Sequence, residues 1–151
     1  MKKVLSIIDP LKGYGSLKFG QTIQEVVALL GDAEEIDEID EDDMMNTVIL
    51  HYWELGISVF FEGIEKSVVS CIETDNMDAE LFGVKVFDIG KDETIDLMKA
   101  NGFTDYELEL EEGENRLSFE EGLIDFFYAD DELIAVSWGV LINENGEIEQ
   151  F

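Results

Sequence analysis

Hydrophobic positions follow two periods along this chain, and the periods alternate in the same order in its two halves. Ile23, Val26, Val27 and Leu30 fall at helical spacing. Thr22-Ile23-Gln24-Glu25 is a capping box: the threonine oxygen accepts from the third amide and Glu25 reaches back to the cap. Gly31 follows where helices commonly stop. A helix over 22–30 is too short to persist alone, so its apolar face must dock on a sheet. Residues 47–53, 57–61 and 67–73 then read as three strands of an antiparallel meander, joined at Gly56 and Gly63. Before the helix, 4–8 suits an edge strand. After it, the acidic segment 32–43 reads as a solvated loop.

The second half repeats this order. Residues 81–87 suit a crossing strand. Asp92 is placed to cap a helix running to about residue 100, with Ile95 and Met98 inward and Asn101-Gly102 ending it. Tyr106, Leu108 and Leu110 alternate with glutamates, as in an exposed edge strand whose charge discourages edge-to-edge pairing. Residues 116–120, 123–129 and 133–142 restate the meander. The polar stretch 74–80 is the joint, giving modules 1–76 and 77–151.

The chain also writes one phrase twice. Trp53-Glu54-Leu55-Gly56-Ile57-Ser58-Val59-Phe60-Phe61 returns as Phe119-Glu120-Glu121-Gly122-Leu123-Ile124-Asp125-Phe126-Phe127, 66 positions later. Each glycine is expected to supply the positive φ of a tight turn. Val68-Val69-Ser70 matches Ala135-Val136-Ser137 at an offset of 67. The expected fold is α+β: a tandem repeat of two helix-plus-antiparallel-meander modules, their sheets side by side.

Alternation along a strand sends neighbours to opposite faces. With the phrases aligned at 66, Phe60 and Phe126 share one face, and Phe61 and Phe127 the other. The row Ile57, Val59, Phe61 has the stronger claim to the core. Tyr52, Phe60, Ile124, Phe126, Tyr128 and Trp138 are therefore the expected aromatic and apolar docking surface, with Asp37, Asp40, Asp42 and Asp43 as its acidic rim. An aromatic centre inside a polar rim is common interface anatomy.

Composition adds a field. The 151 residues are 46% hydrophobic and 11% aromatic, which is globular, but 37 acidic residues face 9 basic ones for a net charge of -28. Residues 1–18 hold four lysines against one aspartate, so the negative excess lies further along. Such a chain repels nucleic-acid backbones and anionic membranes and attracts a basic protein. No stretch approaches the about 20 apolar residues of a membrane span. Met1 to Ile8 begins like a signal peptide, but Asp9-Pro10 ends the apolar run early, and one cysteine excludes an internal disulfide. A cytoplasmic monomer or weak homodimer is expected.

Candidate chemistry is sparse. Cys71 and His51 are alone of their kinds and fall inside predicted strands, away from the strand ends where nucleophiles and bases usually meet. No zinc ligands fall at the usual spacing, Asp37 to Asp43 lacks the central glycine of a calcium loop, and Gly13-Tyr14-Gly15 lacks the glycine that a phosphate loop needs next. No catalytic residue, metal or cofactor is assigned. A carboxylate-dependent hydrolase, with or without a divalent metal, is the alternative function.

Phe19-Gly20-Gln21-Thr22-Ile23-Gln24-Glu25-Val26-Val27-Ala28-Leu29-Leu30-Gly31 resembles the opening of modules in the β-lactamase-inhibitor-protein (BLIP-like) group, and of the small lipoproteins of outer-membrane assembly. There a Gly-x-Thr-x-x-(Glu/Gln)-Val helix start leads through a glycine into an antiparallel sheet. In the second half Asp88 stands opposite Gly20. The resemblance implies two modules in tandem whose sheets form one surface that grips a protein. It also implies a non-enzymatic, inhibitor-like or immunity-like binding protein.

Overall fold

A computed structural model describes residues 7–40, 46–63, 67–111, 113–130, 132–142 and 147–148. The first helix, α1 (Ile23–Leu30), begins as its sequence dictates. Thr22 Oγ1 accepts from the Glu25 N–H at 3.2 Å, and Glu25 Oε1 accepts from the Thr22 N–H at 3.1 Å. Gly31, at φ 86°, closes the helix by donating to the Val27 carbonyl. The second helix, α2 (Lys91–Ala100), is capped by Gly90 rather than by Asp92. Asp92 lies within the first turn, where a carboxylate meets the exposed amides of the helix start. Thr94 and Met98 are its buried residues, and Ile95 packs beside them.

Each helix is followed by four strands. These are β4 (Glu35–Asp40), β5 (Asn46–Tyr52), β6 (Ile57–Gly63) and β7 (Val68–Thr74), then β10 (Glu107–Glu111), β11 (Glu114–Phe119), β12 (Ile124–Ala129) and β13 (Glu132–Gly139). They form one eight-stranded antiparallel sheet in the order β10-β11-β12-β13-β7-β6-β5-β4. The seam between the halves is β7 against β13, where Trp138 faces Ile72 and Gly139 faces Cys71. A Cβ on Gly139 would lie 2.4 Å from the Ser70 carbonyl oxygen, so the seam closes only on glycine. Both sheet edges are strongly acidic, which blunts them against further pairing. One of them, β4, corrects the reading of 32–43 as a loop. Its residues 35–40 pair throughout with β5, because a charged segment at an edge needs only one partner strand and keeps its side chains in water.

A second, five-stranded sheet has the order β3-β2-β1-β8-β9. It comprises β1 (Ile7–Asp9), β2 (Gly13–Tyr14), β3 (Leu17–Lys18), β8 (Glu80–Leu81) and β9 (Val84–Lys85). Here two expectations change. The first strand is central, parallel to β8, and not an edge. Residues 81–87 do not cross as one strand: Phe82 and Gly83 take positive φ and fold them into the hairpin β8–β9, and a 3-10 turn, Val86–Asp88, leads to α2.

The core fills the space between the inner face of the large sheet, the helices and the small sheet. Leu50, Val59, Ile72, Trp138, Ile124 and Phe119 run as one buried row across six strands. Three of the polar tips inside it are matched, whereas the buried Ser70 hydroxyl has no partner among the described residues. Trp138 Nε1 donates to the Gly13 carbonyl at 2.9 Å, Tyr52 Oη to the Gly31 carbonyl at 2.9 Å, and Tyr128 Oη to Thr94 Oγ1 at 3.0 Å. These bonds tie the sheet to both helix ends and to β2, as buried hydroxyls and indoles require.

The hairpins of the two halves match at an offset of 67, not 66. Tyr52 faces Ile57 in the first, and Phe119 faces Ile124 in the second. Each has a 3-10 turn before its second strand, Trp53–Leu55 ending on Gly56 and Glu120–Gly122 ending on Leu123. Each has a bulge, at Phe60/Phe61 and at Phe127/Tyr128. The third strands match at 64, since Phe60 faces Cys71 and Phe127 faces Ala135. The connection before β13 is three residues shorter than the one before β7. A slip of one residue moves a whole strand's side chains to the other face. Phe61 is buried as expected, but in the second hairpin Phe126 is buried and Phe127 faces out.

Candidate functional site on the outer sheet face

The surface expected to dock a partner is therefore redrawn. Tyr52, Ile124, Phe126, Tyr128 and Trp138 are all core residues, each no more than 3% exposed. Ile124, Phe126 and Tyr128 follow from the one-residue slip; Tyr52 and Trp138 sit opposite Ile57 and Ile72 on the inner face. Phe60 alone of that set lies on the outer face, half-buried between Ile49 and Cys71. Asp37 is exposed on β4. Asp40 ends the same strand, and Asp42 and Asp43 lie outside the described residues.

What the outer face presents is a polar row. Glu35, His51, Ser58, Glu73, Ser137, Asp125, Ser118 and Glu107 stand directly opposite one another, strand by strand, across all eight strands. Phe60, Cys71 and Phe127 flank it, and neither they nor the row join the buried hydrophobic cluster that contains residues of both helices. Around its centre lies an open groove of about 340 Å³, lined by Glu73, Glu109, Arg116, Phe127, Ile134 and Ala135. A smaller groove of about 170 Å³ shares Glu73, Ile134 and Ala135 and adds Trp53 and Ser58. Trp53 is 55% exposed and Ile134, the extra residue of the second bulge, 48%.

Electrostatics sharpen at the middle of the row. Burial raises the Glu73 carboxyl above its ordinary value, Asp75 adds to this, and His51 opposes it. Burial likewise pushes the Cys71 thiol up to about 11, despite a contact of 3.4 Å with Ser137 Oγ, and Glu73, Glu62 and Asp125 push the same way. A thiol held there is almost wholly protonated at neutral pH and a poor nucleophile.

The densest polar cluster is at the other end. His51 Nε2 lies 2.8 Å from Asp37 Oδ2, and His51 Nδ1 lies 2.8 Å from Ser58 Oγ. The imidazole stacks on Trp53 at 4.4 Å, 16° from parallel. Glu35 stands directly across the strand pair. This serine, histidine and aspartate contact one another in the order of an activated nucleophile, but two features oppose that chemistry. Ser58 is the second residue of β6, paired on both sides, so neighbouring N–H groups are committed to the ladders with β5 and β7 and none is placed to hold an oxyanion. Glu73, directly across from Ser58, would repel the developing negative charge. The cluster was out of reach of a reading that made 32–43 a loop. Its only signal is two acids at i and i+2 beside a strand histidine.

Comparison with known proteins finds no matching family model and no matching curated protein. Among solved structures, an extracellular protein containing an SCP domain from Bacillus anthracis is similar at a TM-score of 0.43 and 13% identity, over 78% of this chain and 42% of that one. This chain thus spans less than half the length of that protein.

Proposed function

We propose that this is a non-enzymatic binding protein, inhibitor-like or immunity-like, that masks a basic protein with the outer face of its eight-stranded sheet. The observation that carries the reading is the polar row. Four of its eight members are acids, Glu35, Glu73, Asp125 and Glu107, and the chain's net charge of -28 supplies a long-range field of the same sign. Acidic surfaces steer basic partners and select against others, while desolvated aromatics contribute most of the affinity. Phe60 and Phe127 are the anchors, with Trp53 at the rim. Acids spread across a sheet favour a docking surface over the converging pair of a carboxylate hydrolase.

The two runs of helix followed by four strands, with turns and bulges in matching places, support reading the chain as a tandem duplication joined at β7 and β13, with halves 1–76 and 77–151. That reading fits the resemblance to BLIP-like modules, whose sheets grip a protein from one side. A reducing, cytoplasmic setting suits the single, protonated thiol.

The test is an affinity pull-down from the native host at low and high salt, followed by titration of the retained protein against variants. A basic partner should be captured, its association should slow with added salt, and Phe127→Ala should weaken binding by about 2 kcal/mol, the scale of an interface hot spot. Phe60→Ala should act in the same direction. A partner whose binding ignores salt and both substitutions would remove this face as the docking surface.

A further inference from the structure

We propose that Glu35, Asp37 and His51 form a binding site for a divalent transition-metal ion of the zinc type, at the edge hairpin β4–β5. One donor atom from each residue lies within 4.8 Å of the other two. The strand geometry produces this. Glu35 faces His51 directly, and Asp37, two residues on, returns to the same face of β4. The three donors come from backbone that the ladder already holds in register, so little ordering remains for an ion to impose.

The histidine is oriented as a ligand would be. Its Nδ1 is engaged by Ser58 Oγ, leaving Nε2 aimed at the carboxylates. Metal-bound histidines almost always hold their second ring nitrogen in such a hydrogen bond, which fixes tautomer and ring direction. Trp53 stacks against the ring and holds its plane. The His51 side chain is only 12% exposed, whereas Asp37 is 55% exposed. A fixed nitrogen therefore faces mobile oxygens. Zinc takes nitrogen and oxygen ligands at about 2.0–2.2 Å, so a tetrahedral ion needs the two donors roughly 3.3 Å apart. The present 2.8 Å between Nε2 and Oδ2 opens to that by a small swing of the exposed Asp37.

Donor chemistry selects the ion. Imidazole with carboxylates suits zinc, copper and nickel, whereas magnesium and calcium prefer all-oxygen sites. Three protein donors leave at least one coordination position, and it faces outward. A bound ion would clip the edge strand to its neighbour. The inference is independent of the partner proposed above, because its ligands and its readout need no second protein.

The chain carries its own probe. Of its two tryptophans, Trp53 stacks on the ligand imidazole and Trp138 is buried on the inner face. Copper(II) or nickel(II) added to the full chain in chelator-free buffer at physiological salt should quench Trp53 emission with saturation at one ion per chain. Zinc should compete the quencher away, and calorimetry should find one zinc per chain. His51→Gln should lose this binding. Glu35→Gln and Asp37→Asn should each weaken it at least tenfold, and Ser58→Ala about tenfold, as loss of an outer-shell partner does. Asp96→Asn, an exposed acid of α2 outside the sheet face, should leave zinc binding unchanged. Asp37 is exposed, so Asp37→Asn keeps the test decisive if the histidine variant folds poorly. The site is refuted if zinc fails to saturate, or if His51→Gln and Asp37→Asn bind zinc like the parent, which would mark a diffuse acidic surface.

Discussion

In the first half the large hairpin turns on Gly56, at φ 69°, whose N–H donates to the Trp53 carbonyl at 3.2 Å. In the second half the matching turn falls on Leu123, at φ 48°, donating to the Glu120 carbonyl at the same distance. Gly122, the residue that a reading of the sequence pairs with Gly56, does not take positive φ. It sits in a close approach instead: a Cβ there would lie 3.1 Å from the Phe103 ring, which would have to shift to admit it. A Cβ on Gly56 would also crowd Asp75 Oδ1 at 3.0 Å and the Asn76 amide nitrogen at 3.2 Å, so one written motif uses glycine for conformation and proximity in one copy and for proximity alone in the other. The turn shifts by one residue, and every side chain of β12 changes face relative to the expected alignment.

The sharpest way to break this comparison is to truncate neighbouring phenylalanines in both hairpins and measure urea unfolding. Phe126→Ala empties a core site and should cost about 3–5 kcal/mol, as should Phe61→Ala. Phe127→Ala and Phe60→Ala, half-buried on the outer face, should each cost clearly less. If Phe127→Ala proves the more damaging of its pair, the offset of 67 is wrong and the written alignment stands.

A smaller effect separates the glycines. Gly122→Ala forces a methyl against Phe103 and should destabilise by about 1–3 kcal/mol through overpacking. Gly56→Ala should cost at least roughly 1–2 kcal/mol, because an L-residue must enter the left-handed region and its methyl would press on Asp75 and the Asn76 backbone. Leu123→Gly relieves that strain while losing a half-buried side chain, so it should stay near neutral. A large loss at Leu123, with Gly122→Ala tolerated, would reverse the assignment of turn and packing glycines.

Helix α1 was legible because its signals are local: capping box, apolar stripe and terminal glycine all act within ten residues. The α+β class and the strands β5, β6, β7, β11, β12 and β13 were legible for the same reason. Register was not, because it depends on which residue enters the left-handed turn, and Leu123 takes that place rather than the glycine beside it. β4 was hidden because Glu35–Asp40 carries four acids and its strand character comes wholly from pairing with β5. With β4 hidden, the Glu35–Asp37–His51 cluster had no geometry. Asp37 stood out only as a rim charge, and His51 only as a lone strand histidine.

The smallest effect compares the two occupants of one slot. Glu73 and Ser137 sit at matching places in β7 and β13, directly opposite each other at the seam. The Glu73 carboxyl is raised above its ordinary 4.5, first by burial and then by Asp75. A raised carboxyl means that the folded chain holds the proton more tightly than the unfolded chain does. Its contribution to stability is complete below the ordinary value and is lost as pH rises through the folded one. At pH 7 Glu73 is then a net cost, kept small by solvent screening because the group is half-exposed. Glu73→Gln should raise the melting temperature slightly at pH 7, and the gain should vanish below about pH 4. Ser137→Ala removes no charge and should leave the pH profile unchanged. If Glu73 serves the outer face as proposed, the more stable Glu73→Gln should also bind the basic partner less well, stability and function moving in opposite directions. A Glu73→Gln chain that melts lower at pH 7, or keeps its gain at pH 3, would show that the acid is not held at a cost in the middle of the row.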